Sequence, residues 1–150
     1  MLPENSQLSL KIQEDALRTF NLGIEKAANF YYGAGLYFKE NKLNMATFML
    51  HQTCEQLYRL IILVFRNKDF KSHQLHLLRK EAALYYPDIF NIFHEKESKE
   101  LKWINLLQGS YLGVRYQDDY VITLKQCIFL KEKIETLLVK VKSHLFQCLV

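Results

Sequence analysis

The sequence predicts an all-α protein, an up-and-down bundle of four to five helices that forms a single domain over residues 1–150, with its core at about residues 14–147. Apolar residues recur at the i, i+3, i+4 spacing of amphipathic helices along most of the chain, and long strand-like alternation is absent. Glycine and proline together supply only seven residues, which is too few for a sandwich built on many turns.

The first two predicted helices are the longest of the amino-terminal half. Residues 14–39 place Leu17 and Phe20 on one face, in a pattern that continues to the end of the segment. Residues 45–66 form the most apolar segment, with Asn44 as the expected N-cap. The apolar face of residues 45–66 is wider than a surface helix needs, so we expect this second helix at the centre of the bundle.

A shorter helix is predicted after a polar loop at residues 67–71. Ser72 is a suitable N-cap for a helix over residues 73–84, and Pro87 then interrupts the chain. Asp88 can cap a short helical turn that ends at Phe93.

Two further helices complete the prediction. The fourth runs over residues 98–112, and the fifth begins at Asp119 or Tyr120. In the fifth, one face repeats in steps of three or four residues that alternate almost perfectly, at Leu124, Ile128, Lys131, Ile134, Leu138, Val141 and Leu145.

Composition limits the compartment and the chemistry. The longest apolar run has six residues, whereas a transmembrane helix needs about 18. The amino-terminal residues show no apolar segment of a secretion signal. Cys54, Cys127 and Cys148 are odd in number and show no CxxC spacing, so we expect reduced packing residues in a cytoplasmic protein, with no metal site and no cofactor.

The net charge of +4 is concentrated in one segment. Residues 66–80 hold five basic side chains and one acidic side chain, besides His73 and His76. A local excess of this kind suits phosphate or nucleic acid, although a solvated helix end has the same composition.

A polar stripe follows the second predicted helix. At 100° per residue, a position set to 0° at His51 puts Glu55 at about 40°, Arg59 at about 80° and Arg66 at about 60°, and Tyr58 lies beside them. Glu55 and Arg59 also have the favourable i, i+4 order of an ion pair. The stripe is either an exposed face with a salt bridge or a polar groove or self-association seam that leads to the basic segment.

Arg66 and His73 are candidates for acid–base chemistry without a metal. They flank the loop and can face each other across it. A histidine can take a proton from a ribose 2′-hydroxyl or give one to a leaving oxygen, and an arginine can hold the phosphoryl oxygens. A His73 that merely packs against the preceding helix explains the pattern equally well.

Three short blocks carry a resemblance to a known family. Residues 46–59 (ATFMLHQTCEQLYR) resemble the signature helix of HEPN domains (higher eukaryotes and prokaryotes nucleotide-binding). Residues 72–75 (SHQL) are similar to that family's Thr/Ser-His-x-Leu opening of the next helix. Residues 114–118 (VRYQD) resemble its Arg-Tyr-Pro-Asp segment, with Gln117 in place of the proline.

The resemblance implies a HEPN-like helical bundle, a homodimer, and binding of nucleotide or RNA, often beside a minimal nucleotidyltransferase partner. No membrane partner is expected. Large aromatic side chains also favour self-association, at Tyr31, Tyr32, Tyr37, Tyr58, Tyr111 and Phe129. The nucleotide- or phosphate-binding candidates, besides Arg66 and His73, are His51, Glu55, Arg59, Lys68, Lys71, Arg115, Tyr116, Asp118 and Tyr120.

Two alternatives remain beside the binding domain. The first is a metal-independent endoribonuclease, for instance the toxin of a toxin–antitoxin pair. The resemblance suggests it because nuclease members of the HEPN family carry an Arg that is followed, after four to six intervening residues, by a His. Arg66 and His73 fit that spacing, whereas Arg115 is followed by Tyr120, and tyrosine is a poor proton shuttle at neutral pH. The second is a structural domain that binds a partner protein without any nucleotide.

Overall fold

The computed structural model describes the backbone of residues 4–93, 100–116 and 119–150, and the side chains of residues 10–93, 102–113 and 119–150. The helices are α1 (Glu4–Lys39), α2 (Leu43–Arg66), α3 (Leu75–Ala83), a 3-10 helix (Pro87–Phe93), α4 (Glu100–Tyr116) and α5 (Leu124–Leu149). The predicted all-α helical bundle is confirmed for this part of the chain, in which no strand occurs.

Helix α2 lies at the centre of the bundle. It packs against α1, α3, α4 and α5, as its broad apolar face predicts. Half of its 24 residues are buried, and these include Leu50, Leu57 and Ile61 with no exposed surface. The polar side chains that α2 carries are therefore held by the central element of the fold.

Helix α5 also packs on the core, but over a face rotated slightly from the predicted one. Ile134, Val141 and Leu145 are buried as expected, whereas Leu124 and Ile128 are exposed. The remaining buried positions of α5 are Cys127, Leu130 and Leu137.

The starts of two helices differ from the predictions because tertiary contacts decide them. Helix α2 begins one residue before Asn44, whose Nδ2 instead donates to the carbonyl of Tyr120 over 2.8 Å. Helix α3 begins at Leu75, because the amide of Leu75 donates to Oε1 of Gln108 on α4 over 2.8 Å. Ser72 caps no helix; its hydroxyl accepts from the amide of Gln74 over 3.1 Å.

Local sequence fixes two other helix ends. Asn67 closes α2 in the left-handed region, with a φ of 57°, and its amide donates to the carbonyl of Leu63. Helix α5 begins at Leu124 instead of near Tyr120, because Thr123 and Gln126 form a capping box.

Glycines mark two close approaches in the bundle. A Cβ on Gly23 would lie 2.5 Å from Cδ1 of Leu60, so α1 and α2 pack closely at this point. A Cβ on Gly113 would lie 2.5 Å from the Cβ of Tyr120. The Tyr120 ring therefore rests directly on α4, where its hydroxyl donates to the carbonyl of Leu106 over 2.8 Å.

None of the helices in the described ranges has the length and apolar character needed to cross a membrane.

Candidate functional site

The site lies where the loop at residues 67–74 crosses the side of α2. His73 Nδ1 lies 2.5 Å from Oε1 of Glu55, eighteen residues earlier in the chain. The His73 side chain is 59% exposed, whereas that of Glu55 is only 2% exposed. The loop thus presents to solvent an imidazole ring whose inner nitrogen is held by a buried carboxylate.

Arg59 extends this contact into a chain of charged groups. Its Nη1 lies 3.6 Å from the same Oε1 of Glu55, and its Nε lies 3.6 Å from Oδ1 of Asp69 in the loop. Oδ1 of Asp69 also accepts the amide of Phe70 over 2.8 Å. Asp69, Arg59, Glu55 and His73, which we call the polar chain, tie the loop to α2 at two points.

Aromatic rings close the other side of His73. Tyr111 on α4 stacks on His73 with ring centroids 5.5 Å apart and an interplanar angle of 17°. Tyr111 also stacks on His51 at 4.8 Å and 25°. The His73 ring is therefore held by α2 through Glu55 and by α4 through Tyr111.

His51 lies inside this stack with no exposed surface. Its burial lowers its pKa below the usual value near 6.5, and the nearby Glu55 carboxylate opposes that shift in pKa. His51 Nδ1 lies 3.2 Å from Oε1 of Gln52, and the Gln108 side chain and the His73 backbone are near the ring. His51 is thus a neutral packing residue of the site at pH 7.

The predicted polar stripe of the second helix is mostly buried, which corrects the expectation of an exposed face or an open groove. His51, Glu55 and Tyr58 have no more than 1% of their surface exposed. Burial raises the pKa of Tyr58 well above its usual value, and it raises the pKa of the neighbouring Cys54 thiol to about 12. Both groups are therefore uncharged in the fold, and neither is accessible to solvent.

Arg66 and His73 do not form the expected pair. Arg66 Nη1 lies 3.8 Å from Oε1 of Glu81 on α3, whereas His73 is bound to Glu55. Eleven residues separate Arg66 from Glu55 on α2, which corresponds to about 16 Å at 1.5 Å per residue. The loop spacing allowed the two side chains to face each other, but separate carboxylates hold them apart.

The basic segment is only partly a surface feature. Lys68, Lys71 and Lys80 are exposed, as is His76. Arg79 is 2% exposed, its Nη2 donates to the carbonyl of Phe90 over 2.6 Å, and its guanidinium lies 3.7 Å from the Phe90 ring centroid. The charge that solvent meets is therefore smaller than the sequence count, and Lys68 and Lys71 supply part of it on the loop that carries His73.

The third sequence block lies at the end of α4. Arg115 and Tyr116 belong to that helix, but their side chains are outside the described part, and Asp118 is outside the described residues altogether. Tyr120 is half-buried over Gly113, and burial raises its pKa far above the usual value of 10. Tyr120 therefore packs the connection between α4 and α5 onto α4.

Sequence reasoning missed two residues of the site, Gln108 and Tyr111. Both lie on α4, three residues apart, so they share one helix face. That shared face was the only signal available, because the segments they contact are distant in the sequence. In the described ranges, no group of three His, Cys, Asp or Glu side chains is arranged to hold a metal ion.

Most of the chain matches a known protein family. The model of the HEPN domain family matches residues 21–144, a span that includes α2, the loop, α3, α4 and most of α5. No curated protein matches the chain significantly. The match covers well over half of the 150 residues and agrees with the helical bundle, so the chain belongs to the HEPN domain family, whose role at the level of the family concerns nucleotides and RNA.

Proposed function

We propose that this domain binds a nucleotide or RNA phosphate on the loop at residues 67–74. The observation that carries the proposal is the exposed His73 ring, which Glu55 and Tyr111 hold in place on a loop that also carries two exposed lysines, Lys68 and Lys71. The two ammonium groups offer several donors to a phosphodiester, and the ordered imidazole offers its outer nitrogen Nε2 to a ribose hydroxyl.

Glu55, Arg59 and Asp69 of the polar chain support such a surface without contacting the ligand themselves. Glu55 is buried and negative, so it is unsuited to touch a phosphate. Arg59 directs its guanidinium to Glu55 and Asp69, and its side chain is 20% exposed. We therefore assign the phosphate contacts to Lys68 and Lys71 and a ribose hydroxyl to Nε2 of His73, while Arg115, Tyr116 and Asp118 remain predictions from the sequence.

Charge reversal in the loop tests this proposal. Single-stranded RNA binding should weaken in the Lys68→Glu, Lys71→Glu double variant. The slope of log affinity against log salt is negative. If each lysine neutralises one phosphate, this slope should become shallower by about 0.7 for each phosphate that is no longer neutralised. The measurement is fluorescence anisotropy across a salt series, with thermal unfolding to show that the fold is kept.

A matched control is the Lys125→Glu, Lys140→Glu double variant, which changes the net charge equally at two exposed positions of α5. It should keep most of the affinity and the salt slope. Equal reductions of affinity in both variants would mean that the protein binds RNA by overall charge alone. Wild-type protein that binds neither RNA nor mononucleotide at low salt would leave only the partner-binding hypothesis.

A homodimer and a minimal nucleotidyltransferase partner belong to the same proposal. Exposed apolar side chains that a partner can cover lie on α1 at Tyr32 and Leu36 and on α5 at Val139 and Phe146. Two aromatics expected at such a surface, Tyr58 and Tyr111, are buried within the bundle instead. Sedimentation equilibrium tests the dimer, since a single species of 17.9 kDa at micromolar concentration would contradict it.

Exposure of His73 also favours a second candidate function, metal-independent RNA cleavage. With Nδ1 bound to Glu55, the opposite nitrogen Nε2 can accept the proton of a ribose 2′-hydroxyl. The resulting oxygen nucleophile attacks the adjacent phosphorus, and the 5′-oxygen leaves with a proton from solvent, giving a cyclic phosphate. His73→Ala should then reduce the cleavage rate about 10²- to 10⁴-fold.

Cleavage and binding are separable with that variant. His73→Ala should bind RNA nearly as well as the wild type, because the loop lysines carry the charge. A chelator should change neither protein, and a deoxyribose oligonucleotide should bind without being cut. Wild-type activity no greater than that of His73→Ala would eliminate the nuclease hypothesis and leave the binding proposal intact.

A further inference from the structure

We infer that Glu55 is a positioning residue that fixes the tautomer of His73, with the proton on Nδ1 and the lone pair on Nε2. The inference deepens the proposed function, because it describes how the ring at the same site is presented to a ligand. It replaces the sequence-based expectation that Glu55 contacts the nucleotide.

The hydrogen bond between the two residues determines where the proton lies. A neutral imidazole carries one hydrogen, which sits on either Nδ1 or Nε2. A carboxylate only accepts hydrogen bonds, and Oε1 of Glu55 lies 2.5 Å from Nδ1 of His73. The hydrogen is therefore on Nδ1, which leaves Nε2 as the proton-accepting atom of the exposed ring.

The carboxylate is itself held rigidly. Arg59 Nη1 lies 3.6 Å from the same oxygen, and Glu55 has 1% of its surface exposed. Because Arg59 also reaches Asp69, a movement of the loop that carries His73 must disturb Arg59 as well. The position of the loop and the orientation of the ring are thus coupled through one guanidinium.

Tyr111 limits the remaining freedom of the ring. Its near-parallel stack on His73, at 17°, opposes a rotation that would turn Nδ1 away from Glu55. A rotation of the ring by half a turn would exchange the hydrogen-bonding edges and break the hydrogen bond to Oε1. Glu55 and Tyr111 therefore act together on one ring, from two different helices.

Imidazole nitrogen NMR tests the inference without any ligand. Protein labelled with ¹⁵N in histidine should show, for the neutral His73 ring, a protonated Nδ1 and an unprotonated Nε2 in long-range ¹H–¹⁵N spectra. The His73→Ala spectrum identifies the signals among the five histidines. A wild-type ring that is protonated on Nε2 when neutral would overturn the inference.

Three variants at carboxylates complete the test. In Glu55→Ala the neutral His73 ring should change to the Nε2-protonated tautomer, whereas Glu55→Gln should keep Nδ1 protonated because the amide oxygen still accepts. The matched control is Glu81→Gln, which removes a half-buried carboxylate that pairs with Arg66 and not with His73. A Glu55→Ala ring that keeps its Nδ1 proton, or a Glu81→Gln ring that loses it, would refute the assignment.

The readout separates this inference from the proposed function. The tautomer of His73 is measured in the absence of RNA, so a protein that neither binds nor cleaves RNA still confirms or refutes the role of Glu55. If Glu55→Ala does not fold, the wild-type and Glu55→Gln spectra decide the matter by themselves.

Discussion

Replacing Gly113 by alanine tests whether the Tyr120 ring is packed as closely on α4 as the structure shows. The added methyl group would lie 2.5 Å from Cβ and 2.8 Å from Cγ of Tyr120. Carbon atoms in favourable contact are about 3.5–4.0 Å apart. Because the clash is with the root of the side chain, a rotamer change does not relieve it, and the tyrosine backbone must move.

The expected change in stability follows from three contributions. Overpacking costs about 1–3 kcal/mol, and displacement of the ring breaks the hydrogen bond from the Tyr120 hydroxyl to Leu106, which is worth about 1 kcal/mol. Alanine regains about 1 kcal/mol over glycine within a helix. The net destabilisation is about 1–3 kcal/mol, which lowers the Tm by about 2–12 °C for a chain of this size.

Thermal and urea unfolding followed by circular dichroism measure this change. Gly35→Ala is the matched control, because its methyl group meets nothing within 4 Å, and it should raise the Tm by about 2–4 °C. A Gly113→Ala protein that is stabilised as much as Gly35→Ala would show that Tyr120 does not rest on α4. Because alanine at position 120 keeps the Cβ atom, the matching partner is Tyr120→Gly: adding Gly113→Ala to Tyr120→Gly should cost no stability relative to Tyr120→Gly alone.

Three other results are expected. Only Cys148, which is exposed, should react rapidly with a thiol reagent in the native protein. Burial raises the pKa of the Cys127 thiol and raises the pKa of the Cys54 thiol to about 12. Rapid reaction of more than one equivalent of reagent would contradict the structure. Since burial lowers the pKa of His51, the unfolded chain binds more protons as pH falls below about 6.5, so stability should decrease toward pH 5, and His51→Gln should weaken this dependence in urea titrations. Tyr120→Phe should cost about 1 kcal/mol of stability with unchanged RNA affinity, and a weaker affinity would return Tyr120 to the ligand surface.

The sequence predicted the helices well because their periodicity is a local property. It predicted the start of α3 poorly because the decisive group is elsewhere. The amide of Leu75 donates to the side chain of Gln108 on α4. The loop sequence alone gives no reason for the helix to begin at Leu75 and not at His73. Helix ends set by distant acceptors are visible only once the helices are packed.

The candidate site shows the same division. Glu55 and His73 are both conspicuous in the sequence, but a helical wheel gives only the direction of Glu55 and not what covers it. The loop and Tyr111 cover that face, which makes the stripe interior instead of exposed. Arg66 met the spacing for a partner of His73, yet Glu81 on the following helix was the nearer charge.

The anchoring of one ring from two helices has an evolutionary consequence. The part that orients His73 is built into α2 and α4, where substitution disturbs the core, whereas Lys68 and Lys71 occupy an exposed loop, where substitution costs little stability. Descendants of this chain can therefore exchange the charged groups of the loop while inheriting the same oriented imidazole. The charge of the loop is free to change over generations, whereas the orientation of the His73 ring is not.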